Sequence, residues 1–295
     1  GAPIAAAPLA RLLVVPFRQS ATGAAAIRVR AGEKVLKGQI VGAAEGPFDA
    51  AVHAPTSGTV IGIEARMLPH PSGLAAPCAL IEPDGAETWI ERAPLDPYRA
   101  DAETVRARIR AAGIVGLGGA AFPSHVKTRP RIDTLIVNGA ECEPWITCDD
   151  RLMRERADDI VAGARILGRL MGAQRILFGV EDNKPEAAQA LGAALAECAS
   201  ASCAVASVPT LYPAGGEKQL IRALTGIAVP YGRLGPDFGV QCFNVATVYS
   251  AWRAIAHAMS PFAARSTVNP MPVSAFATVN ACDPSPSARS ARRVV

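Results

Sequence analysis

The sequence predicts an α/β protein in which a three-layer, Rossmann-like domain follows an N-terminal all-β module. Three observations support this fold class. The chain has 295 residues, which is enough for about two domains. Short apolar stretches separated by Gly and Pro fill residues 1–95, as in a small sandwich or barrel. In residues 100–258, strand-like apolar runs alternate with helical segments, which is typical of a mostly parallel sheet.

Within the first region, two half-motifs have the same character. Val29–Gln39 alternates around two glycines, and His53–Ile63 repeats the pattern. This pair resembles the biotinyl/lipoyl carrier fold, the barrel-sandwich hybrid, in which the hairpin between the halves presents a modified lysine. Here that hairpin, Ile40–Val52, contains no lysine. We therefore expect residues 1–95 to form a docking or structural module and not a swinging-arm carrier.

The second region follows a linker at about residues 85–100 and opens with a helix over Ala102–Ala112, which has Asp101 as its N-cap and Gly113 as its stop. The predicted strands are Asp133–Val137, Arg175–Val180, Ala204–Val208 and Gly239–Phe243. The other predicted helices run from Arg151 to Met171, from near Asn183 with Pro185 in the first turn, from Glu217 to Gly226, and from Asn244 to about His257. Residues 259–295 lack periodicity, and we expect an irregular tail there, as a truncated or frame-shifted product would have.

Charge and cysteine usage exclude several classes of protein. The net charge is +4 and the basic residues are dispersed, so a nucleic-acid partner is not expected. No apolar run reaches the roughly 18–20 residues that a transmembrane helix needs, so no direct membrane span is expected. The seven cysteines are irregularly spaced without a C-x-x-C pair, which favours reduced thiols over a zinc or cluster site. Because the four histidines are also scattered, we predict no metal site.

A glycine-rich loop and the acidic turn after the next strand indicate a ligand site. Bare glycines at Gly116, Gly118 and Gly119 let backbone N–H groups approach an anion, which is how phosphate cradles are built. The strand Asp133–Val137 then delivers a polar segment, Asn138 to Glu143, to its carboxyl end, where open α/β sheets bind ligands. The two segments together predict a phosphate-bearing cofactor with a polar ring or a ribose.

In a parallel sheet, four loop ends converge on this edge: Gly116–Phe122, Asn138–Glu143, Tyr212–Lys218 and Asn244–Thr247. Gly215 and Gly216 again allow close backbone approach, and the helix that begins at Glu217 adds the positive end of its dipole. Lys127 and Lys218 are candidates to neutralise a phosphate, with solvated surface lysines as the alternative.

Three acids near this edge, Glu141, Glu143 and Glu217, suit ribose hydroxyls or ring N–H groups. The alternative for them is a helix N-terminal acid, stabilised by the macrodipole by less than about 1 kcal/mol. We take Cys142 and Cys148 as packing residues, since no histidine lies near them in the sequence.

Several motifs closely resemble the RnfC family, a component of the Rnf electron-transport complex. In the second region they are Gly113-Ile-Val-Gly-Leu-Gly-Gly-Ala-Ala-Phe-Pro-Ser-His-Val-Lys127, Asn138-Gly-Ala-Glu-Cys-Glu-Pro-Trp-Ile-Thr-Cys-Asp-Asp-Arg-Leu-Met153, Glu181-Asp-Asn-Lys-Pro-Glu186 and Tyr212-Pro-Ala-Gly-Gly-Glu-Lys-Gln-Leu220. In the first region they are Gly32–Gln39, His53–Val60 and His70–Gly73. The resemblance covers roughly residues 8–258, and the α/β part is more distantly similar to the flavin- and NADH-binding subunit of respiratory complex I.

The resemblance implies a noncovalent FMN in the 116–119 loop, and the residues implied to line the flavin and NADH site are Asn138, Glu141, Glu143, Gly215, Gly216, Glu217 and Asn244. In such a complex NADH gives a hydride to FMN, electrons pass singly to 4Fe–4S clusters, and the redox step drives sodium or proton translocation. No protein side chain is then needed as a catalytic acid or base, because the cofactor supplies the chemistry. The implied partners are the other subunits, at the cytoplasmic face of the inner membrane.

Two departures from the family pattern leave a second hypothesis open. Ala121 stands where the family's loop has a glycine, and the family's C-x-x-C cluster motifs are absent from this chain. Both features favour a non-catalytic scaffold that has lost its cofactor, as in the component of the sodium-pumping NADH:quinone reductase that resembles this family. The presence of Asn138, Glu141, Glu143 and both glycine pairs favours the redox hypothesis.

Overall fold

The computed structural model describes residues 2–68, 73–197 and 202–260, so the expected tail lies outside the described residues from position 261 onward. The N-terminal region is all-β, as predicted. Its strands are β1 (Leu13–Pro16), β2 (Ala26–Ile27), β3 (Lys34–Val35), β4 (Ile40–Ala43), β5 (Val52–His53), β6 (Gly58–Met67) and β7 (Ala75–Pro83). Antiparallel pairing arranges them in two sheets, ordered β1-β7-β6-β3 and β2-β4-β5.

The two predicted strand-like halves of the module differ in how much strand they form. Val29–Gln39 contributes only β3, because Gly32 (φ +85°) and Gly38 (φ +82°) turn the chain on either side of it. The second half divides into β5 and β6 around the turn at residues 54–57. Period-two alternation therefore located the module but overestimated the strand in its first half, whereas in the second half β6 continues beyond Ile63 to Met67.

The second region has the predicted alternation of strands and helices. Its elements are α1 (Ala102–Ala111), α2 (Ser124–Lys127), β8 (Thr134–Gly139), α3 (Cys148–Glu155), α4 (Ala157–Met171), β9 (Arg175–Glu181), α5 (Pro185–Glu197), β10 (Cys203–Val208), α6 (Glu217–Thr225), a 3₁₀ turn (Gly235–Phe238), β11 (Val240–Asn244) and α7 (Val245–Ala256). The four strands form one parallel sheet in the order β10-β9-β8-β11. Asp101 caps α1 as expected, accepting a hydrogen bond from the Thr104 N–H at 2.8 Å.

The long helix predicted from Arg151 to Met171 is wrong at its start and in its middle. Helix α3 already begins at Cys148, and Arg156, with φ −137° and ψ +33°, separates it from α4. Both helices pack on α5 and α7, and both also contact the sheet, α3 at β8 and α4 at β8 and β9. No Gly or Pro marks the break, so no local pattern in the sequence indicates it.

The hairpin between β4 and β5 packs against the α/β region. Arg110 on α1 donates to the carbonyls of Ala44, Glu45 and Gly46 at 3.4, 3.3 and 3.0 Å. Ala50, 4% exposed, belongs to the core of the α/β region. Gly113 (φ +67°) permits this approach, since a Cβ there would lie 2.0 Å from the Ala51 carbonyl oxygen. The lysine-free hairpin therefore serves as a packed contact between the two regions.

His53, at the end of this hairpin, is buried and contacts the backbone of Ala111. Burial lowers the pKa of its imidazole to about 4, and the hydrogen bond to Ala111 opposes this shift. The ring is therefore neutral at pH 7.

Among the residues that the structure describes, none of the helices combines the length and the apolar character that crossing a bilayer requires.

Candidate functional site

The strand order creates a crevice at the carboxyl edge of the parallel sheet. From β8 the chain moves outward through β9 to β10, and it then returns through α6 to place β11 on the other side of β8. Such a reversal leaves a gap beside the carboxyl ends of the two strands, which is where open α/β sheets bind ligands. Asn138 and Asn244 face each other in register at these ends. We call this edge the rim.

The glycine-rich loop lies on one side of the rim. The cradle loop, Gly116–Phe122, closes on itself because Gly116 N–H donates to the Phe122 carbonyl (2.8 Å) and Ala121 N–H donates to the Gly116 carbonyl (3.1 Å). Leu117 N–H donates to the buried Thr247 hydroxyl at 2.9 Å, which ties the loop to the first turn of α7. We call the cradle loop together with residues 244–247 the glycine side.

Two glycines of the cradle loop occupy different surroundings. A Cβ at Gly118 would lie 3.2 Å from the Asn244 Cβ, so this glycine allows the loop to touch the end of β11. Gly119 has φ +106°, and apart from Gly119 and its two chain neighbours no described residue has an atom within 4 Å of where its Cβ would be. Ala121 has a backbone φ of +44°, and its methyl group is fully buried. The departure at Ala121 therefore does not narrow the open face of the loop.

The loop before α6 reaches the same rim. The Asn138 amide nitrogen donates to the Gly215 carbonyl at 2.8 Å, and its oxygen accepts from Ala140 N–H at 3.0 Å. A Cβ at Gly215 would lie 2.5 Å from the Ala140 carbonyl oxygen, so only glycine permits the contact. Helix α6 then begins at Glu217 with Gly216 as an N-cap that has no side chain. Its first N–H groups and the positive end of its dipole lie at the rim.

Residues 141–150, the acid side of the rim, are organised by Glu141. This carboxylate accepts from the N–H groups of Asp149 (2.8 Å) and Asp150 (3.2 Å) and so caps α3, and it pairs with Lys184 at 3.1 Å. Cys148 adds a thiol contact at 3.3 Å. The Glu141 side chain is only 2% exposed. Among the alternatives raised by the sequence, the helix N-terminal acid therefore describes the position of Glu141.

Asp149 lies under the rim as a second buried acid. Its Oδ2 accepts from the Asn244 amide at 2.5 Å, while its buried Oδ1 has no hydrogen-bond partner among the described residues. Burial raises its pKa to about 7, the charge of Glu141 adds to the shift, and the Asn244 hydrogen bond opposes it. Burial also raises the pKa of the nearby Glu181 carboxyl, and the positive charge of Lys184 opposes this shift.

Asp149, Glu181 and Lys184 are the members of this network that sequence reasoning missed. The Thr-Cys-Asp-Asp segment carries the signal of a helix N-terminus, and it would have placed the start of α3 correctly.

Ligand atoms of Glu141, Cys148 and Asp149 lie within 4.8 Å of one another, as a metal site requires. Glu141 is already neutralised by Lys184, and burial raises the pKa of the Cys148 thiol. We therefore assign no metal to the group.

The remaining predicted residues lie around the rim with different environments. Glu143 is exposed, with its carboxylate 3.8 Å from the Cys142 thiol. Lys127 donates to the Cys242 carbonyl at 2.6 Å and lies 3.4 Å from the Glu217 carboxylate, so it is joined to the α6 start. Tyr212 is 68% exposed. Lys218 instead points away, donating to the Pro230 carbonyl at 2.8 Å.

These contacts make the site a fit for a phosphate-bearing cofactor. The glycine side offers a loop whose face at Gly119 is open, and α6 brings an N-terminus without a capping side chain. Asn138, Glu141 and Asn244 direct their polar atoms into the protein, so they shape the rim. Exposed Glu143 and partly exposed Glu217 are the predicted acids that a ligand can reach.

Comparison with known proteins gives the family to which the chain is similar. A family model described as the RnfC barrel sandwich hybrid domain matches residues 1–86, and one described as the Nuo51 FMN-binding domain matches residues 109–253. The C subunit of the ion-translocating oxidoreductase complex of Pseudomonas aeruginosa is 48% identical over 258 residues, which are 86% of this chain and 33% of the relative. Its counterpart in Edwardsiella ictaluri is 46% identical over 257 residues, 86% of this chain and 32% of the relative. A chain of a solved NAD+-reducing NiFe hydrogenase in the air-oxidised state is 25% identical, with a TM-score of 0.48, over 52% of this chain and 30% of that chain.

The fold and the family models define the class: a Nuo51-type FMN-binding α/β domain that follows a barrel-sandwich hybrid module. The chain belongs to the RnfC family. It spans about a third of the length of the curated relatives it matches.

Proposed function

We propose that this chain is the FMN- and NADH-binding part of an RnfC protein. The observation that carries the proposal is the meeting of four loop ends at one rim, through the Leu117–Thr247 and Asn138–Gly215 hydrogen bonds and the Asn138–Asn244 register. This rim combines bare loop amides, a helix N-terminus and reachable carboxylates, which suits a phosphate at one end of a ligand and a polar ring or ribose at the other.

The chain's own residues divide the work of binding. Amides of the cradle loop and of the α6 start would hold the FMN phosphate, with Lys127 3.4 Å from Glu217 as the nearby cation. Asn138 and Asn244 fix the loops that flank the ring, while Glu143 and Glu217 would accept hydrogen bonds from ring N–H or ribose groups. The bound FMN supplies the chemistry that turns a hydride donor into a source of single electrons.

The activity of the whole protein is part of the same proposal. Its relatives are named subunits of an ion-translocating oxidoreductase complex. We place this chain at the cytoplasmic face of the membrane, bound to other subunits of such a complex, with NADH as electron donor. The chain has no C-x-x-C motif, so the 4Fe–4S clusters that take the electrons would be held outside it.

A titration of FMN with the purified chain tests the proposal. Binding should quench the flavin fluorescence, and NADH should then bleach its visible absorbance. Gly119→Asp should weaken the affinity for FMN by at least about tenfold relative to Gly119→Asn, a difference of about 1.4 kcal/mol. The two side chains are nearly equal in size but differ in charge. Asn at this position controls for the strain of the positive φ.

Absence of FMN binding to the wild-type chain would instead support the scaffold hypothesis. Equal affinities for the Asp and Asn variants would place the phosphate away from the cradle loop. Binding of FMN without bleaching by NADH would retain the flavin and remove NADH as the donor.

A further inference from the structure

The β4–β5 hairpin of the N-terminal module ends against the cradle loop. Phe48, at the hairpin tip, contacts Phe122 with ring centroids 6.0 Å apart and ring planes at 51°. Pro47 is joined to the segment after the loop, since its carbonyl lies 3.0 Å from the His125 Nε2. A second strand connection in the module also reaches the loop, where Ala21 N–H donates to the Ala121 carbonyl at 3.2 Å. The cradle loop is therefore held from the module as well as from α7.

The hairpin tip is itself fixed. The hydroxyl groups of Ser20 and Thr22 both donate to the Phe48 carbonyl, at 3.0 and 2.9 Å. Asp49 accepts from Gly46 N–H at 2.7 Å, which closes the turn. Arg110 joins three successive hairpin carbonyls to α1, as described above. A tip constrained in this way can hold another loop in place.

The cradle loop needs such support at Ala121. This residue has φ +44°, a backbone conformation that is unfavourable for a residue with a Cβ. Its own carbonyl receives the hydrogen bond from Ala21, and the side chain of the next residue, Phe122, receives the contact from Phe48. Both module contacts thus fall at the strained position or beside it.

We infer that the N-terminal module is a positioning element of the cofactor site, in which Phe48 and Ala21 hold the cradle loop in the shape that presents its amides. The effect on FMN affinity rests on the proposed function, whereas the support of the cradle loop by the module does not. Phe48 reaches the cradle loop through the Phe122 ring, and no hairpin atom lies within 4 Å of where a Cβ on Gly119 would be, so Phe48 is a positioning residue.

Amide hydrogen exchange of the cofactor-free chain tests the structural content. Phe48→Ala should speed the exchange of Gly116 and Ala121 N–H groups, which close the loop, by at least about fivefold, while amides in β8 stay unchanged. Phe48 is 45% exposed, so this variant should fold. Ile61→Ala is the control, because Ile61 is similarly exposed (50%) on β6 of the same module.

FMN affinity tests the consequence. Phe48→Ala should raise the Kd by about tenfold, and the effect should shrink in an Ala121→Gly background, because glycine adopts the positive φ without help. Unchanged loop exchange in Phe48→Ala, or an equal change in Ile61→Ala, would overturn the inference. If wild-type protein binds no FMN, the proposed function fails, and the exchange measurement still decides the role of the module.

Discussion

On the glycine side of the rim the chain leaves backbone groups and space available, whereas on the acid side it uses its most prominent carboxylate internally. Gly119 faces an open region, and the polar contacts of the cradle loop come from its edges. Glu141, by contrast, is buried and satisfied by two backbone N–H groups and Lys184. Two motifs that looked equally functional in the sequence therefore have different surroundings: one leaves an open loop face at the rim, and the other caps α3 beside it.

The comparison predicts the largest loss of stability at Glu141. Glu141→Ala should lower the free energy of unfolding by about 3–5 kcal/mol, because it leaves the Lys184 ammonium, whose side chain is only 12% exposed, and two helix N–H groups without their acceptor. Urea denaturation measures the change. Glu141→Gln is the matched control, since it keeps one acceptor oxygen and should lose less. A loss below about 1 kcal/mol for the Ala variant would show that the carboxylate is not structural.

On the glycine side, the corresponding change is Thr247→Val. It removes the buried hydroxyl that accepts from Leu117 N–H and should cost about 1–3 kcal/mol, since an N–H is left unsatisfied. The same variant should weaken FMN binding, because the cradle loop loses its tie to α7. Thr247→Ser keeps the hydroxyl and should retain the wild-type affinity. Stability lost without any change in FMN affinity would separate this hydrogen bond from the ligand site.

Asp149, on the acid side, should make the stability of the protein depend on pH. Its folded pKa, raised to about 7, lies above the ordinary value of 3.8, so the folded state favours the protonated acid. The unfolded chain is already ionised between pH 6 and 8, and stability should therefore fall by about 1.4 kcal/mol as the pH rises through this window. Asp149→Asn should abolish that fall, as measured by denaturation at both pH values. An equal slope in the variant and the wild type would assign the effect to another group.

The glycine side could be located from the sequence because its signals are local. Glycines at 116, 118 and 119 are identifiable without the fold, as is the Gly215–Gly216 pair in the neighbouring loop before α6, and the alternation of strands and helices brings these loops to one edge. The acid side depended on distant residues. Glu141 meets Lys184, which immediately precedes α5, and caps a helix that begins three residues earlier than predicted, and Asp149 is held by Asn244 from β11. Such contacts follow from tertiary packing, which no local pattern encodes.

The smallest expected effect on stability is at Glu143, only two residues from Glu141. Glu143 is exposed, so Glu143→Gln should change the free energy of unfolding by less than about 0.5 kcal/mol. If this carboxylate receives ribose or ring N–H groups, the same variant should raise the KM for NADH in flavin reduction and leave the FMN affinity almost unchanged. Glu186→Gln, a variant on α5, provides a control with the same loss of charge. An unchanged KM together with unchanged stability would leave the acid side with a purely structural role and would assign ligand recognition to the glycine side and α6.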